Sequence, residues 1–328
     1  MSTALGPITQ AADRLRSGGV VAFPTETVYG LGADALNADA IRRVYELKGR
    51  PSFNPLIVHV SGPEMTQRVV APGAWDARAA CLSRTFWPGP LSIVVPRSPQ
   101  LPEIVTAGAP TVAVRCPDHP VALALLFGFG GPLVGPSANL SGHVSPTLAN
   151  HVREAFTPDD VLVLEGGPCR GGIESTVVSL AGDRPRILRL GLITPDDISR
   201  VLGESADVVE SPSERSARNG ALESPGQLAR HYAPRTAARL VGENALSDAL
   251  RTLSPRKAVV LSRRLITLDT PHVLVHMPAD PEPYAAALYS SLRHADEQGA
   301  DEILIELPPA DGHLWRAIAD RLVRATTA

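Results

Sequence analysis

Lys48 and Arg50 stand two residues apart in KGRPSFNP, with Ser52 and Asn54 beside them and Pro51 and Pro55 stiffening the backbone that carries them. Lys48 and Lys257 are the only lysines, so 29 of the 31 basic residues are arginine. A compact ammonium beside a guanidinium, in a rigid loop rich in hydrogen-bonding side chains, suits phosphate oxygens. Two cations at the negative end of a helix would be placed in the same way without any ligand.

Four further clusters share this character. In TVAVRCP, alternation puts Thr111, Ala113 and Arg115 on one strand face, so Arg115 needs a partner, either a carboxylate of the fold or that of a ligand. GPSANLSGHVSPT offers Ser137, Asn139 and Ser141 in a loop, and Ser145 and Pro146 have the types expected at the cap and first position of a helix. Free N–H groups at such a helix start, with the Thr147 hydroxyl, would attract an anion, although a capped turn needs none. EGGPCRGGIESTVV leads through a glycine-rich turn to Ser175 and Thr176, and Arg189 in RILRLG repeats the apolar setting of Arg115. His59 in PLIVHV is expected to be a satisfied core histidine. No Ser/His/Asp or Cys/His grouping emerges from spacing, which favours catalysis by positioning and charge stabilisation over a covalent nucleophile. The residues by themselves point to an anion-binding soluble enzyme or an RNA-binding protein.

The elements that must position these residues come next. A strand over Gly19 to Phe23, a hydroxyl-rich turn after Pro24, and a helix with Ile41, Val44, Tyr45 and Lys48 on one face lead into the cationic loop. Asn37 or Asp39 can cap that helix, and Gly49 and Pro51 end it. Further strands are expected in PLIVHV, LSIVVP, TVAVRCP, LVGPSA, VLVLEG, STVVSL and RILRL, which predicts a mixed, twisted, partly antiparallel sheet with helices packed on it over residues 1–197. Residues 198–235, polar and turn-rich but containing Arg230, His231 and Tyr232 between prolines, are expected to be a linker. Residues 236–328 alternate helices with the strands KAVVLS, HVLVHM and EILIEL, predicting a smaller α/β domain with a largely parallel sheet. It lacks a GxGxxG or Walker signature. His272 and His276 are expected to be a packed or edge pair, with no third metal ligand nearby.

Composition bounds the choices. The chain has 328 residues, 44% hydrophobic and 20% charged, with net charge −3, so nothing draws it globally to nucleic acid. Three scattered cysteines encode neither a disulfide framework nor a zinc ribbon and suit a reducing cytoplasm. No charged-then-apolar leader opens the sequence, and Val121 to Gly135 is too short and too broken by Gly and Pro to span a bilayer, so a soluble protein is expected.

PTETVYGLG, KGRPSFNPLIVHV, WPGPLSIVV, TVAVRCP, GPSANLSGHVSPT, IESTVV and SPGQLARHYAP, in this order and spacing, resemble the two-domain form of the threonylcarbamoyl-AMP synthase family across nearly the whole chain. The resemblance implies a YrdC-like catalytic domain, a linker that folds over the active site as a gate, and a small Rossmann-like C-terminal domain. It implies that L-threonine, bicarbonate and ATP, with Mg2+, give threonylcarbamoyl-AMP and pyrophosphate. The product serves a tRNA-modifying threonylcarbamoyl transferase complex that acts next to the anticodon. Lys48 and Arg50 would be catalytic; Thr27, His59, Arg115, Ser137 and Ser175 would contact threonine; Arg50, Asn54, Thr111, Asn139, Thr147, Arg189 and Tyr232 would contact ATP. Two departures from the family pattern, Leu190 where relatives carry Pro and Gln227 where they carry Met, leave the charged positions intact. The alternatives are a double-stranded RNA-binding or ribosome-maturation factor and a carbamoyl transferase of hydrogenase maturation. The acidic balance and missing stacking motifs weigh against the first, and the lack of cysteine-rich zinc segments against the second.

Overall fold

The structure is a computed structural model that describes residues 5–209 and 230–327, in two compact units. The first comprises 5–141, 146–170 and 174–209; the second comprises 142–145, 171–173 and 230–327.

The first unit is built on a ten-stranded mixed sheet. In chain order its elements are α1 (Leu5–Arg16), β1 (Val20–Phe23), β2 (Gly30–Asp34), α2 (Ala38–Lys48), β3 (Ile57–His59), α3 (Ala77–Phe86), β4 (Leu91–Pro96), β5 (Thr111–Arg115), α4 (Pro120–Phe129), β6 (Leu133–Val134), α5 (Ala149–Arg153), β7 (Val161–Val163), β8 (Thr176–Ser179), β9 (Arg186–Arg189), α6 (Pro195–Leu202) and β10 (Asp207–Val208). The spatial order is β10-β9-β8-β4-β5-β3-β6-β2-β1-β7. All eight strands expected in this region form, and β2 and β10 add to them.

Alternation divides the side chains between two faces. On one face Val58, Ile93, Val114, Val134 and Val178 join Ile41 and Val44 of α2, Leu82 of α3, Val152 of α5 and Ile198 of α6 in a single core. On the other, Val21, Phe23 and Leu133 pack against Leu15 of α1 and Leu125 of α4. Farther along that second face, Ile57, Val94, Ala113, Val177 and Leu188 form a separate cluster made almost wholly of strand residues. It is the floor of the candidate site.

The tether expected from residue 198 is corrected for its first dozen positions. Thr194 and Asp197 form a reciprocal capping box with Pro195 at the first turn, and this starts α6 and carries Ile198 into the core. β10 then pairs in parallel with β9. Of the rest of the expected tether, residues 210–229, including Gln227, lie outside the described residues, and 230–235 belong to the second unit.

The second unit has a four-stranded, all-parallel sheet in the order β11-β14-β12-β13, formed by β11 (Ala238–Val241), β12 (Ala258–Ser262), β13 (Val273–His276) and β14 (Glu302–Glu306). Its helices are α7 (Leu246–Leu253), α8 (Pro281–Glu297) and α9 (His313–Thr326). The histidine pair is held by main chain: Ala258 N–H donates to His272 Nδ1, and His276 Nε2 lies 3.2 Å from the Arg263 carbonyl oxygen. No described helix is long and apolar enough to cross a membrane.

Candidate active site

Five neighbouring strands carry one polar row across the second face of the large sheet. Arg189 of β9 pairs with Val177 of β8, which pairs with Ser92 of β4. One register step beyond the Ile93–Val114 pair places Ser92 beside Arg115 of β5, and Arg115 pairs with His59 of β3. Ser175, two residues before Val177, points to the same side. Hydrogen bonds stitch the row: Arg189 donates through Nε to the Ser175 carbonyl at 3.0 Å and through Nη2 to its hydroxyl at 3.1 Å, and the Ser175 and Ser92 hydroxyls lie 2.9 Å apart. Arg115, His59, Ser175 and Arg189 are therefore brought together, and Ser92 joins them without having stood out in LSIVVP.

Arg115 has a carboxylate of the fold for company. Its Nη2 lies 2.7 Å from Oε2 of Glu26, with the two side chains only 5% and 2% exposed, an ion pair not aligned as a hydrogen bond. Nε donates to the Gly89 carbonyl at 3.3 Å. Nη1 has no partner among the described residues. The same Glu26 oxygen accepts from Asp118 N–H at 3.1 Å, while its other oxygen, Oε1, is buried with no hydrogen-bond partner. Glu26 lies within PTETVYGLG, yet nothing local marked it as the counter-ion of a residue far along the chain.

His59 is not the satisfied core histidine that its strand suggested. The side chain is buried beside Arg115 and edge-on to Phe23, and Nδ1 has no hydrogen-bond partner. Burial first, then the Arg115 charge, hold the ring neutral and pull its pKa down to about 3, against a smaller opposing effect of a main-chain hydrogen bond. Gly135 makes room for the ring, since a Cβ there would lie 2.6 Å from Nδ1.

The cationic loop forms as the helix pattern predicts. The Asn37 side chain caps α2, Gly49 ends it in the left-handed conformation (φ 56), and Ile41, Val44, Tyr45 and Lys48 face inward. Lys48 is buried, and its Nζ donates to the carbonyls of Ser137 and Asn139, both at 2.5 Å, while its own carbonyl accepts from Ser141 N–H. Burial and the Arg50 charge push its pKa well below the usual lysine range. Arg50 donates to the carbonyls of Asn54 and Pro55 at 3.1 and 2.7 Å. Asn54 is fully buried, and neither polar atom of its amide has a partner. Thr111 starts β5 two register positions before the Ile57–Ala113 pair, level with Pro55 of this loop.

Thr27 is buried with its hydroxyl 2.9 Å from that of Thr25. Ser137 bridges to Gly30, and the amide of Asn139 donates to the Leu140 carbonyl. The loop 135–139 thus has His59 against its first residue and Lys48 bound to its last two carbonyl-bearing turns, so Lys48 and Arg115 flank one short segment.

The helix start expected at Ser145 and Pro146 is corrected. Helix α5 begins only at Ala149, because the carbonyls of Pro146 and Thr147 accept from Tyr29 and Cys169 N–H groups across the chain, and Thr147 N–H donates to His151 Nδ1. Thr147 is buried here at a bend just before the helix. Tyr232 belongs to the second unit, where it is 1% exposed, at φ 64, stacked on Tyr289 at 5.5 Å between ring centres with the Arg321 guanidinium over its ring.

Two family models match successive parts of the chain. Residues 13–191 match the Sua5/YciO/YrdC family model, described as telomere recombination, and residues 193–327 match the threonylcarbamoyl-AMP synthase C-terminal domain. The threonylcarbamoyl-AMP synthase of Bacillus subtilis (strain 168) is 41% identical, covering 99% of this chain and 94% of the relative. That of Pyrococcus abyssi is 38% identical over 96% of this chain and 93% of its own. A crystal structure of P. abyssi Sua5 complexed with L-threonine superposes with a TM-score of 0.87 at 36% identity, covering 97% of this chain and 94% of that one.

Proposed function

The chain belongs to the threonylcarbamoyl-AMP synthase family, and from that membership we propose that its first unit joins L-threonine, bicarbonate and ATP into threonylcarbamoyl-AMP with release of pyrophosphate. The observation that carries this reading is a group of buried polar atoms left without a protein hydrogen bond: Nη2 of Arg115, Oε1 of Glu26, Nδ1 of His59 and the amide of Asn54. Buried polar atoms are almost always paired, so a group of them calls for a ligand. Donor and acceptor stand side by side at Arg115 and Glu26, as the carboxylate and ammonium ends of an amino acid require, and the relative from P. abyssi is known with L-threonine bound. His59, Ser175 and Thr27 complete the threonine side, with Ser137 at its border.

Asn54, Arg50, Thr111, Asn139, Thr147 and Arg189 take the nucleotide side. A carbamate oxygen formed on threonine attacks the α-phosphorus of ATP, the bond from that phosphorus to the bridging oxygen breaks, and pyrophosphate leaves. Lys48 and Arg50 stabilise charge on the departing group, which requires positioning more than proton transfer. Mg2+ belongs to this reading as a companion of the phosphates. The reaction is placed in the cytoplasm, and its product passes to a threonylcarbamoyl transferase complex that modifies tRNA.

Pyrophosphate release from ATP tests the proposal, and it should require both L-threonine and bicarbonate. Release indifferent to either would defeat it. Lys48→Ala and Arg115→Ala should each abolish turnover, the second mainly by weakening threonine binding; an unchanged threonine KM in Arg115→Ala would remove the carboxylate from Arg115.

A further inference from the structure

Granted the reading above in which Ser175 meets the amino acid, we propose that Ser92 is a positioning residue for the same reaction. Its hydroxyl donates to the Ser175 oxygen, and this leaves the Ser175 hydroxyl one role, that of donor to the carboxylate of the bound amino acid. Ser92 itself touches no substrate. The sheet places it on β4, with Ser175 just before β8 on one side and Arg115 of β5 on the other, and Arg189 of β9 closes the row beyond Ser175.

The direction of the contact follows from counting donors and acceptors. The two hydroxyl oxygens lie 2.9 Å apart, and both residues are fully buried, so bulk water offers neither an alternative partner. Ser92 Oγ has no other hydrogen-bond partner among the described residues. Ser175 Oγ has one more, Nη2 of Arg189 at 3.1 Å, and a guanidinium can only donate. If Ser175 donated to Ser92, the Ser92 proton would be left buried without an acceptor, with the Arg115 cation as its neighbour on the other strand. If Ser92 donates to Ser175, both lone pairs of the Ser175 oxygen are engaged, by Ser92 and by Arg189, and the one spare proton sits on Ser175. The charge of Arg115 selects the second arrangement, because a hydroxyl beside a buried cation turns its oxygen toward the charge and its proton away. Away from Arg115 is toward Ser175. A hydroxyl that accepts two hydrogen bonds is also polarised to donate more strongly. The guanidinium of Arg115 and the O–H of Ser175 then flank Ser92 as two donors, and a carboxylate has two oxygens to receive them. A hydroxyl pair that merely packed the sheet would show the same contact but would make Ser92 indifferent to the substrate.

Steady-state pyrophosphate release on the full chain, with L-threonine varied at saturating ATP and bicarbonate, compares the wild type with Ser92→Ala, Ser92→Cys, Ser175→Ala and the double variant Ser92→Ala/Ser175→Ala. No threonine-dependent release in the wild type would overturn the underlying reading and the role of Ser92 with it; every other outcome bears on Ser92 alone. Ser92→Ala should raise the threonine KM roughly threefold or more and leave kcat within about twofold, because the carboxylate does not react and its contacts act equally on ground and transition states. Ser92→Cys fills the same space with a weak donor and should shift KM in the same direction, which decides the matter even where the alanine cavity unfolds the chain. Ser175→Ala should raise KM roughly tenfold, and the double variant should add less than about twofold to that, since the one partner of Ser92 is already gone. A wild-type threonine KM in a folded Ser92 variant overturns the assignment, because packing and not the donated proton would then be what counts. Losses that multiply in the double variant overturn it too, as they would show that Ser92 acts by a route other than Ser175.

Discussion

Gly135→Ala isolates the placement of His59 from everything else around it. The backbone at Gly135 is not in the left-handed region, so alanine meets no conformational barrier, and the substitution acts only through its Cβ. That atom would lie 2.6 Å from Nδ1 and 2.7 Å from Cε1 of His59, and 3.1 Å from the tip of Phe23. Ordinary contact therefore requires the imidazole to retreat by most of an ångström. It has little freedom to do so, held edge-on to Phe23 at 5.4 Å between ring centres and beside Arg115 on the neighbouring strand. Overpacking of this kind costs about 1–3 kcal/mol, and each kcal/mol lowers Tm by roughly 2–4 °C in a domain of about this size. In a His59→Ala background the same methyl enters vacated space, so the penalty should shrink by about 1 kcal/mol or more, within the range of coupling for residues in contact. Urea unfolding of the wild type, both single variants and the double variant measures the coupling. Additive effects would show that the ring and position 135 do not press on each other, and the account of His59 as a clamped, unpartnered side chain would fail. Gly135→Ala should also weaken threonine binding, because the displaced ring carries the Nδ1 that faces the site.

Glu26→Gln keeps shape and the acceptor for Asp118 N–H but leaves the buried Arg115 charge without its counter-ion, so it should destabilise the protein by about 3–5 kcal/mol in chemical denaturation; a loss below about 1 kcal/mol would mean the pair is not a strut. His59 titrates at about 3 in the fold against 6.5 when exposed, so the unfolded chain takes the proton first as pH falls. This contribution is intact above 6.5 and declines by up to about 1.4 kcal/mol per pH unit toward 3. His59→Gln should flatten that part of the stability profile, and an unchanged slope would place the acid sensitivity elsewhere. Burial and Arg50 depress the Lys48 pKa, so phosphates arriving beside it should raise it. Calorimetry of nucleotide binding in buffers of differing ionisation enthalpy should then show proton uptake that Lys48→Met removes; uptake retained in that variant would assign it to another group.

What the sequence made legible was what local rules decide. Helix α2 was legible, its cap narrowed to Asn37 or Asp39, because its cap, its inward face and its glycine stop all lie within thirteen positions. The strands rich in Val and Ile announced themselves, whereas β2, GLGAD, did not. Its glycines are there because a Cβ at position 32 would lie 2.9 Å from the Phe23 ring across the ladder, a requirement set by a strand partner. The false helix start at Ser145 failed for a similar reason. Its capping residues are of the right types, but Tyr29 and Cys169 take the carbonyls that a first helical turn would need. Glu26 and Ser92 were invisible as site residues because their meaning lies in Arg115 and Ser175, which only the sheet brings alongside them.

The positive side chains of the site serve two different purposes, and this explains why the site can be rigid before anything binds. Lys48 and Arg50 spend their hydrogen bonds on main-chain carbonyls, fixing the loops 135–139 and 50–55 against each other's surroundings. Arg115 and His59 are fixed by burial and strand register and Glu26 and Asn54 by burial, yet all four keep polar atoms in reserve. Those reserves are unfavourable in the empty protein, at about 1–3 kcal/mol for each unpaired group. A ligand that supplies the missing partners recovers that energy without waiting for side chains to reorganise, which is the condition under which binding energy is available for orienting two substrates. The struts also set a limit on Lys48: with two of its three protons held by the carbonyls of Ser137 and Asn139, it can offer a phosphate one more hydrogen bond and its charge. Its contribution to the reaction is therefore mainly electrostatic, and phosphates favour the charged form that burial and Arg50 disfavour.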